Sequence, residues 1–164
     1  MRVALGSDHA GFELKERLRR FLDGLGVACD DFGCSSPESV DYPDIAAAVA
    51  RRVADGSADR GILICGTGIG MAIAANKIAG VRAAPCYTPH TAALSRGHND
   101  ANVLTLGARL TEADAAAAIV RAFIDTPFDG GRHQRRVDKI GALERDGTPE
   151  SREPKAESPL RESS

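Results

Sequence analysis

The chain has no Trp, only two Tyr and only five Phe in 164 residues, too few to build the multi-aromatic platforms on which single-stranded nucleic acids stack. It also lacks an excess of either charge. Lys and Arg number 21 against 23 Asp and Glu, a formal net charge of −2, and no basic cluster supplies the electrostatic footprint of a nucleic-acid binder. No stretch approaches the roughly 18 uninterrupted apolar residues of a membrane span, and the apolar run within Met1-Arg2-Val3-Ala4-Leu5-Gly6-Ser7-Asp8 is too short for a signal peptide. A soluble, cytoplasmic protein is expected, with neither nucleic-acid nor membrane partners.

Metal and cofactor motifs are missing as well. Cys29, Cys34, Cys65 and Cys86 contain no C-x-x-C pair and read as reduced thiols rather than a disulfide or zinc framework. His9, His90, His98 and His133 show no metal-ligand spacing, so no metal site is expected. A dinucleotide fingerprint would need a third glycine where Met71 stands, and Gly6-Ser7-Asp8-His9-Ala10-Gly11 has the wrong spacing for one. A P-loop would need Gly-Lys-Ser or Gly-Lys-Thr, which does not occur here. No cofactor is predicted.

What remains is a regular alternation. Short apolar, β-branched runs alternate with segments of helical period, the pattern of βαβ units around a parallel sheet. Five strands are predicted: Val3 to Leu5, about Val27 to Phe32, Gly61 to Cys65, Val81 to Cys86 and Asn102 to Leu106. Between them, Leu14, Leu18, Phe21, Leu22 and Leu25 recur at helical spacing up to Gly26, and Ile45, Val49 and Val53 form one helical face after Asp41-Tyr42-Pro43. Further helices are expected from about Met71 to Ile78 and from Pro89 to about Arg96, closing near Gly97-His98-Asn99. Another should follow a cap at Thr111, and a last one should follow Gly130-Gly131. The expected fold is α/β, one domain over residues 1–145. From Asp146 to Ser164, Pro149, Pro154 and Pro159 lie among Ser, Glu and Arg with a single Leu, and this tail is predicted to be disordered.

In an open parallel sheet, ligands bind outside the carboxyl ends of the strands. Asp8, His9, Cys65, Thr67 and the turn from Gly107 to Arg109 fall on that edge. The Gly66-Thr67-Gly68-Ile69-Gly70 turn offers backbone N–H groups to a phosphate or a developing oxyanion. Cys65 is open to two readings at this point: an inert core thiol at a strand end, or a nucleophile or base favoured by the N–H groups beside it. Arg132 and Arg136, four apart, either grip one phosphate or belong, with Arg135 and Lys139, to a solvated basic face.

Several motifs taken together go further. Ser7-Asp8-His9-Ala10-Gly11, Asp41-Tyr42-Pro43, Cys65-Gly66-Thr67-Gly68-Ile69-Gly70, Ala74-Ala75-Asn76-Lys77, Ser95-Arg96-Gly97-His98-Asn99-Asp100 and Gly130-Gly131-Arg132-His133 with Arg136-Val137 occur in this order between Met1 and about Glu144. The set resembles the type B ribose-5-phosphate isomerases. The resemblance implies a three-layer α/β/α, Rossmann-like fold with a five-stranded parallel sheet. It also implies a homodimer with shared active sites, which could assemble further, and no metal or organic cofactor. Cys65 would be the base that moves a proton between C1 and C2 through an enediolate, with Thr67 and His98 assisting ring opening. Asp8 and Tyr42 would contact sugar hydroxyls, and Asn99 with the amides of Gly66, Gly68 and Gly70 would stabilise the enediolate. His9, Arg132 and Arg136 would hold the phosphate, helped by Arg109. One branch of the family uses a Glu on the helix after the Gly-rich loop and lacks the cysteine. Met71 stands at the matching position here, so the likeness is to the cysteine branch. Isomerisation of a six-carbon sugar phosphate, such as allose 6-phosphate or galactose 6-phosphate, or non-catalytic sensing of a sugar phosphate would use the same frame.

Overall fold

The computed structural model describes residues 1–36 and 38–146. The predicted disordered tail lies outside the described residues, apart from Asp146, which ends the last helix. Five strands, β1 (Arg2–Ser7), β2 (Ala28–Asp31), β3 (Arg60–Cys65), β4 (Ala83–Pro85) and β5 (Val103–Gly107), form one sheet in the order β2-β1-β3-β5-β4. Every pairing is parallel. Because successive side chains of a strand point to opposite faces, β1 and β3 each supply both layers of core. Val3 and Leu5, with Ile62 and Ile64, pack under α1 (Phe12–Gly24) and α5 (Ala113–Asp125), which bring Leu14, Leu18, Leu22, Ile119 and Phe123. Ala4, Leu63 and Cys65 pack under α2 (Tyr42–Ala54) and α3 (Ile69–Ala75), which bring Val49, Val53, Met71 and Ala75. The result is the expected three-layer α/β/α architecture. Each fully buried aliphatic side chain adds about 1.5–3 kcal/mol, and β1, β3 and β5 all supply such side chains.

Several boundaries differ from the sequence reading, among them α3, expected from about Met71 to Ile78 and found at Ile69–Ala75. Helix α4 (Pro89–Asn99) starts at Thr88, whose hydroxyl accepts the Thr91 N–H at 3.1 Å in a reciprocal capping box, and it runs on through Gly97 and His98. It stops only at Asp100, which takes a left-handed φ of 46°, a conformation that Asp and Asn tolerate better than most residues. Strand β4 keeps only the middle of the expected run, at the sheet edge, where Pro85 cannot extend the ladder. Thr111 is not the cap of α5. Glu112 holds that position without a side-chain bond, and the Thr111 hydroxyl is buried with no partner. Helix α6 (Arg132–Asp146) follows Gly130 and Gly131, both at positive φ, and packs against the end of α4 through stacked His98 and His133 rings.

Candidate active site

The strand order reverses direction between β1 and β3: one crossover leads from β1 outward to β2, the next leads back past β1 to β3. At such a switch point the loops leave in opposite directions and open a crevice at the carboxyl edge. A cleft of about 440 Å³ occupies it, lined by Asp8, His9, Ala10, Tyr42, Cys65, Gly66, Thr67, Ile69, Gly70, Ile73 and Arg109.

Each wall has a local cause. After β1, the Asp8 N–H donates to the Ile64 carbonyl at 3.1 Å and its carboxylate accepts the Gly11 N–H at 3.0 Å, which fixes a single 3-10 turn, His9–Gly11. Gly11 must be glycine here, since a Cβ would lie 2.7 Å from the Ile64 side chain and 2.8 Å from its carbonyl oxygen. His9 Nδ1 accepts the Val40 N–H at 3.5 Å. After β3, Gly68 turns the chain at φ 82° into α3, and the Thr105 hydroxyl, donating to the Gly68 carbonyl at 2.8 Å, pins that turn to β5. Tyr87 donates to the Thr67 carbonyl at 3.3 Å from the far side. The Tyr42 ring lies so close to Gly70 that a Cβ there would sit 2.7 Å from it, and the Arg109 guanidinium lies over Gly66 in the same manner at 3.3 Å.

Cys65 ends β3 with 5% of its surface exposed, and that surface opens on the cleft. Its sulfur accepts the Gly68 N–H at 3.1 Å, so a donor already points at the atom that would carry negative charge. The other cysteines have different surroundings. Burial, with Asp31 and Asp30 adding, pushes the Cys29 thiol up to about 11. Burial pushes the Cys86 thiol up too, which suits inert fillers at both positions.

Of the remaining predicted residues, Gly68 lies behind the cleft wall with its N–H on the Cys65 sulfur. His98, Asn99, Arg132 and Arg136 do not line this cleft either. A parallel topology makes this unavoidable within one chain. Helix α4 begins at the carboxyl end of β4 and travels back along the sheet, so by its tenth residue it has moved ~15 Å toward the amino edge. His98 therefore sits at the opposite end of the sheet from Cys65. There it stacks on His133 with ring centroids 4.3 Å apart and planes inclined by 6°, beside Arg132 and Arg136. Burial, with His98 and both arginines adding, holds the His133 imidazole below its ordinary value. The Arg132 Nε donates to His133 Nε2 at 3.4 Å. His98, Asp129 and His133 offer atoms within 4.8 Å of one another, but parallel rings and two neighbouring arginines suit an anion better than a cation. Asn99 borders a larger groove of about 1020 Å³ with Asn76, Arg82, Ile140 and Leu143, and its described walls include neither thiol nor imidazole.

Residues 3–140 match the model of the Ribose/Galactose Isomerase family. The chain belongs to that family. It is 50% identical to the ribose-5-phosphate isomerase B of Escherichia coli over 143 residues, 87% of this chain and 96% of that protein. The structure of Clostridium thermocellum ribose-5-phosphate isomerase B superposes with a TM-score of 0.89 at 49% identity, covering 90% of this chain and all of that one. The Mycoplasma genitalium enzyme, solved with bound ribulose-5-phosphate, gives 0.86 at 43% identity over 88% of this chain and 97% of the other. As a ribose/galactose isomerase the chain is an enzyme, not the non-catalytic sensor considered from sequence. Ala10 and Ile73 went unread as cleft residues, and Ile69 was read for its backbone amide alone. Ile69 and Ile73 stand four apart on α3, and their helical spacing was the signal, hidden by the expectation that α3 begins at Met71. No helix among the described residues is long and apolar enough to cross a membrane.

Proposed function

We propose that this chain interconverts ribose 5-phosphate and ribulose 5-phosphate with Cys65 as the base. The observation that carries the reading is the Cys65 sulfur at the mouth of the β3–α3 turn, facing the cleft and already accepting the Gly68 N–H. The C2 proton of an open-chain aldose phosphate is only weakly acidic, so the rate depends on a positioned base and on donors aimed at the developing charge. The sulfur takes the C2 proton and leaves an enediolate with charge on O1. It then returns the proton to C1, while O1 gains a proton and O2 gives up its own to become the ketone. The amides of Gly66 to Gly70 and the Asn99 side chain stabilise the enediolate, and Asp8 and Tyr42 hold sugar hydroxyls. His9, Arg132 and Arg136, helped by Arg109, hold the phosphate. Thr67 and His98 open the furanose beforehand. No step calls for a metal or an organic cofactor.

The working unit in this reading is a homodimer. One chain carries the base cleft at the carboxyl edge of its sheet and the His98, Asn99, Arg132, Arg136 group at the other end. Two chains related by a twofold axis bring each cleft against the partner's group, since such an interface is self-complementary. The family description spans both five- and six-carbon sugars, so an allose or galactose 6-phosphate is the second substrate to test. The deciding experiment is turnover of ribose 5-phosphate, allose 6-phosphate and galactose 6-phosphate with chelator present. The expected result is the highest kcat/KM on ribose 5-phosphate and a loss of roughly 100-fold or more in Cys65→Ala, with substrate binding retained. Near-full turnover by Cys65→Ala would remove the base assignment.

A further inference from the structure

His98 is tied to a carboxylate that neither the sequence motifs nor the reaction scheme above assigns. The Asp129 N–H donates to the Gly97 carbonyl at 3.0 Å, which clips the loop before α6 onto the last turn of α4. The Asp129 carboxylate then lies in the space that a side chain at position 97 would fill: a Cβ on Gly97 would be 3.0 Å from Oδ2. From there Oδ2 stands 4.0 Å from His98 Nε2. On the other side the nearly parallel His133 ring closes off His98. His133 Nε2 accepts the Arg132 Nε–H, so His133 presents a neutral, non-competing face. Two groups thus bear on the His98 imidazole, a carboxylate near its Nε2 and a flat ring on its face.

From this geometry we infer that Asp129 is the positioning residue for His98, orienting its ring and stabilising the charge it gains during sugar-ring opening. The inference rests on the assignment of His98 to that step. In the step, His98 takes the proton of the C1 hydroxyl, the C1–O4 bond breaks with its electrons passing to O4, and O4 takes up a proton. The products are a C1 aldehyde and a C4 hydroxyl. A carboxylate 4.0 Å from Nε2 favours the ring while it carries that proton, and donor distances of this kind tighten when the substrate is bound. Gly97 suits the arrangement, because a Cβ there would stand only 3.0 Å from Asp129 Oδ2 and would push the carboxylate by a few tenths of an ångström.

Ring opening can be separated from proton transfer at carbon, because ribulose 5-phosphate has no furanose to open. Two rates are measured for wild type, Asp129→Asn and His98→Asn: turnover from ribose 5-phosphate, and incorporation of solvent deuterium at C1 of ribulose 5-phosphate. Asp129→Asn should lower the first roughly 10- to 100-fold, short of the roughly 100- to 10,000-fold that an acid–base group itself contributes. The second rate should stay within about twofold of wild type, and the thermal midpoint should not move. Asp129→Glu should recover part of the lost turnover. Equal slowing of both rates, or wild-type turnover by Asp129→Asn, overturns the inference. Should His98→Asn keep full turnover of the aldose, the assignment of His98 and the inference fall together. Should only Asp129→Asn behave as wild type, the reading of the site stands without it.

Discussion

His133 shows how one side chain links the site to the acid stability of the fold. Burial, the facing His98, and Arg132 and Arg136 on its own helix all hold its imidazole neutral below the ordinary value, against a small opposing pull from Asp129. That ordinary value is about 6.5. Between the folded value and the ordinary one the unfolded chain binds more protons than the folded chain, so stability rises with pH across this window. The contribution is complete above about pH 6.5 and is lost as pH falls through the folded value. Urea midpoints measured from pH 7.5 down to 5.5 should therefore drop more steeply for wild type than for His133→Asn. Equal slopes would show that the imidazole titrates normally. At this scale the sequence was legible where topology alone decides position. Asp8, Cys65, Thr67 and Arg109 follow strand ends, and a parallel sheet puts all strand ends on one edge. Asp129 was not legible, because its meeting with His98 depends on how the loop before α6 folds against α4, and no spacing rule encodes that contact.

The helices carry a second lesson about what periodicity conceals. Lys15 follows Leu14 on α1, and although it is charged only 1% of its side chain is exposed. Its ammonium reaches across to the end of β2, where it pairs with Asp31, and it pairs with Glu16 at 3.2 Å. The Phe12 ring lies 5.6 Å from the same nitrogen. A buried cation left with too few partners costs several kcal/mol, whereas a well-packed apolar replacement for it costs little. Asp31→Asn should thus destabilise the fold by about 1–3 kcal/mol, since Glu16 remains, while Lys15→Met should stay within about 1 kcal/mol of wild type. Unfolding free energies in urea check the pair, and an Asp31→Asn no more harmful than Lys15→Met would contradict it. The strongly periodic elements, α1, α2, α5 and β3, were legible near their observed limits. Helix α4 carries Gly97, a residue that usually stops helices, as a buried position and ends at Asn99, within the Gly97-His98-Asn99 stretch where the sequence closes it. Thr111 looked like a cap from spacing alone, but a cap is a hydrogen bond, and here the hydroxyl makes none.

For the whole molecule, five parallel strands and three layers were legible because alternation of short apolar runs with helical periods admits few architectures. The lateral order β2-β1-β3-β5-β4 was not, since hydrophobic pattern reports which face of a strand is buried and not which strand lies beside it. That order puts the switch point between β1 and β3 and leaves α4 to carry His98 away from it. If each working site takes Cys65 from one chain and His98 from another, two inactive proteins should restore each other. In the proposed mechanism Cys65→Ala lacks the base in every cleft and His98→Asn lacks the ring-opening group, so neither homodimer would have an intact site. Mixed and reassorted in equal amounts, half of the dimers are hybrids. Each hybrid has one site with both residues intact and one with neither, so about a quarter of wild-type activity should return. A mixture that stays inactive after mass measurement confirms hybrid dimers would place Cys65 and His98 of a working site in the same chain. The parallel topology then leaves only a large rearrangement of α4 to bring them together.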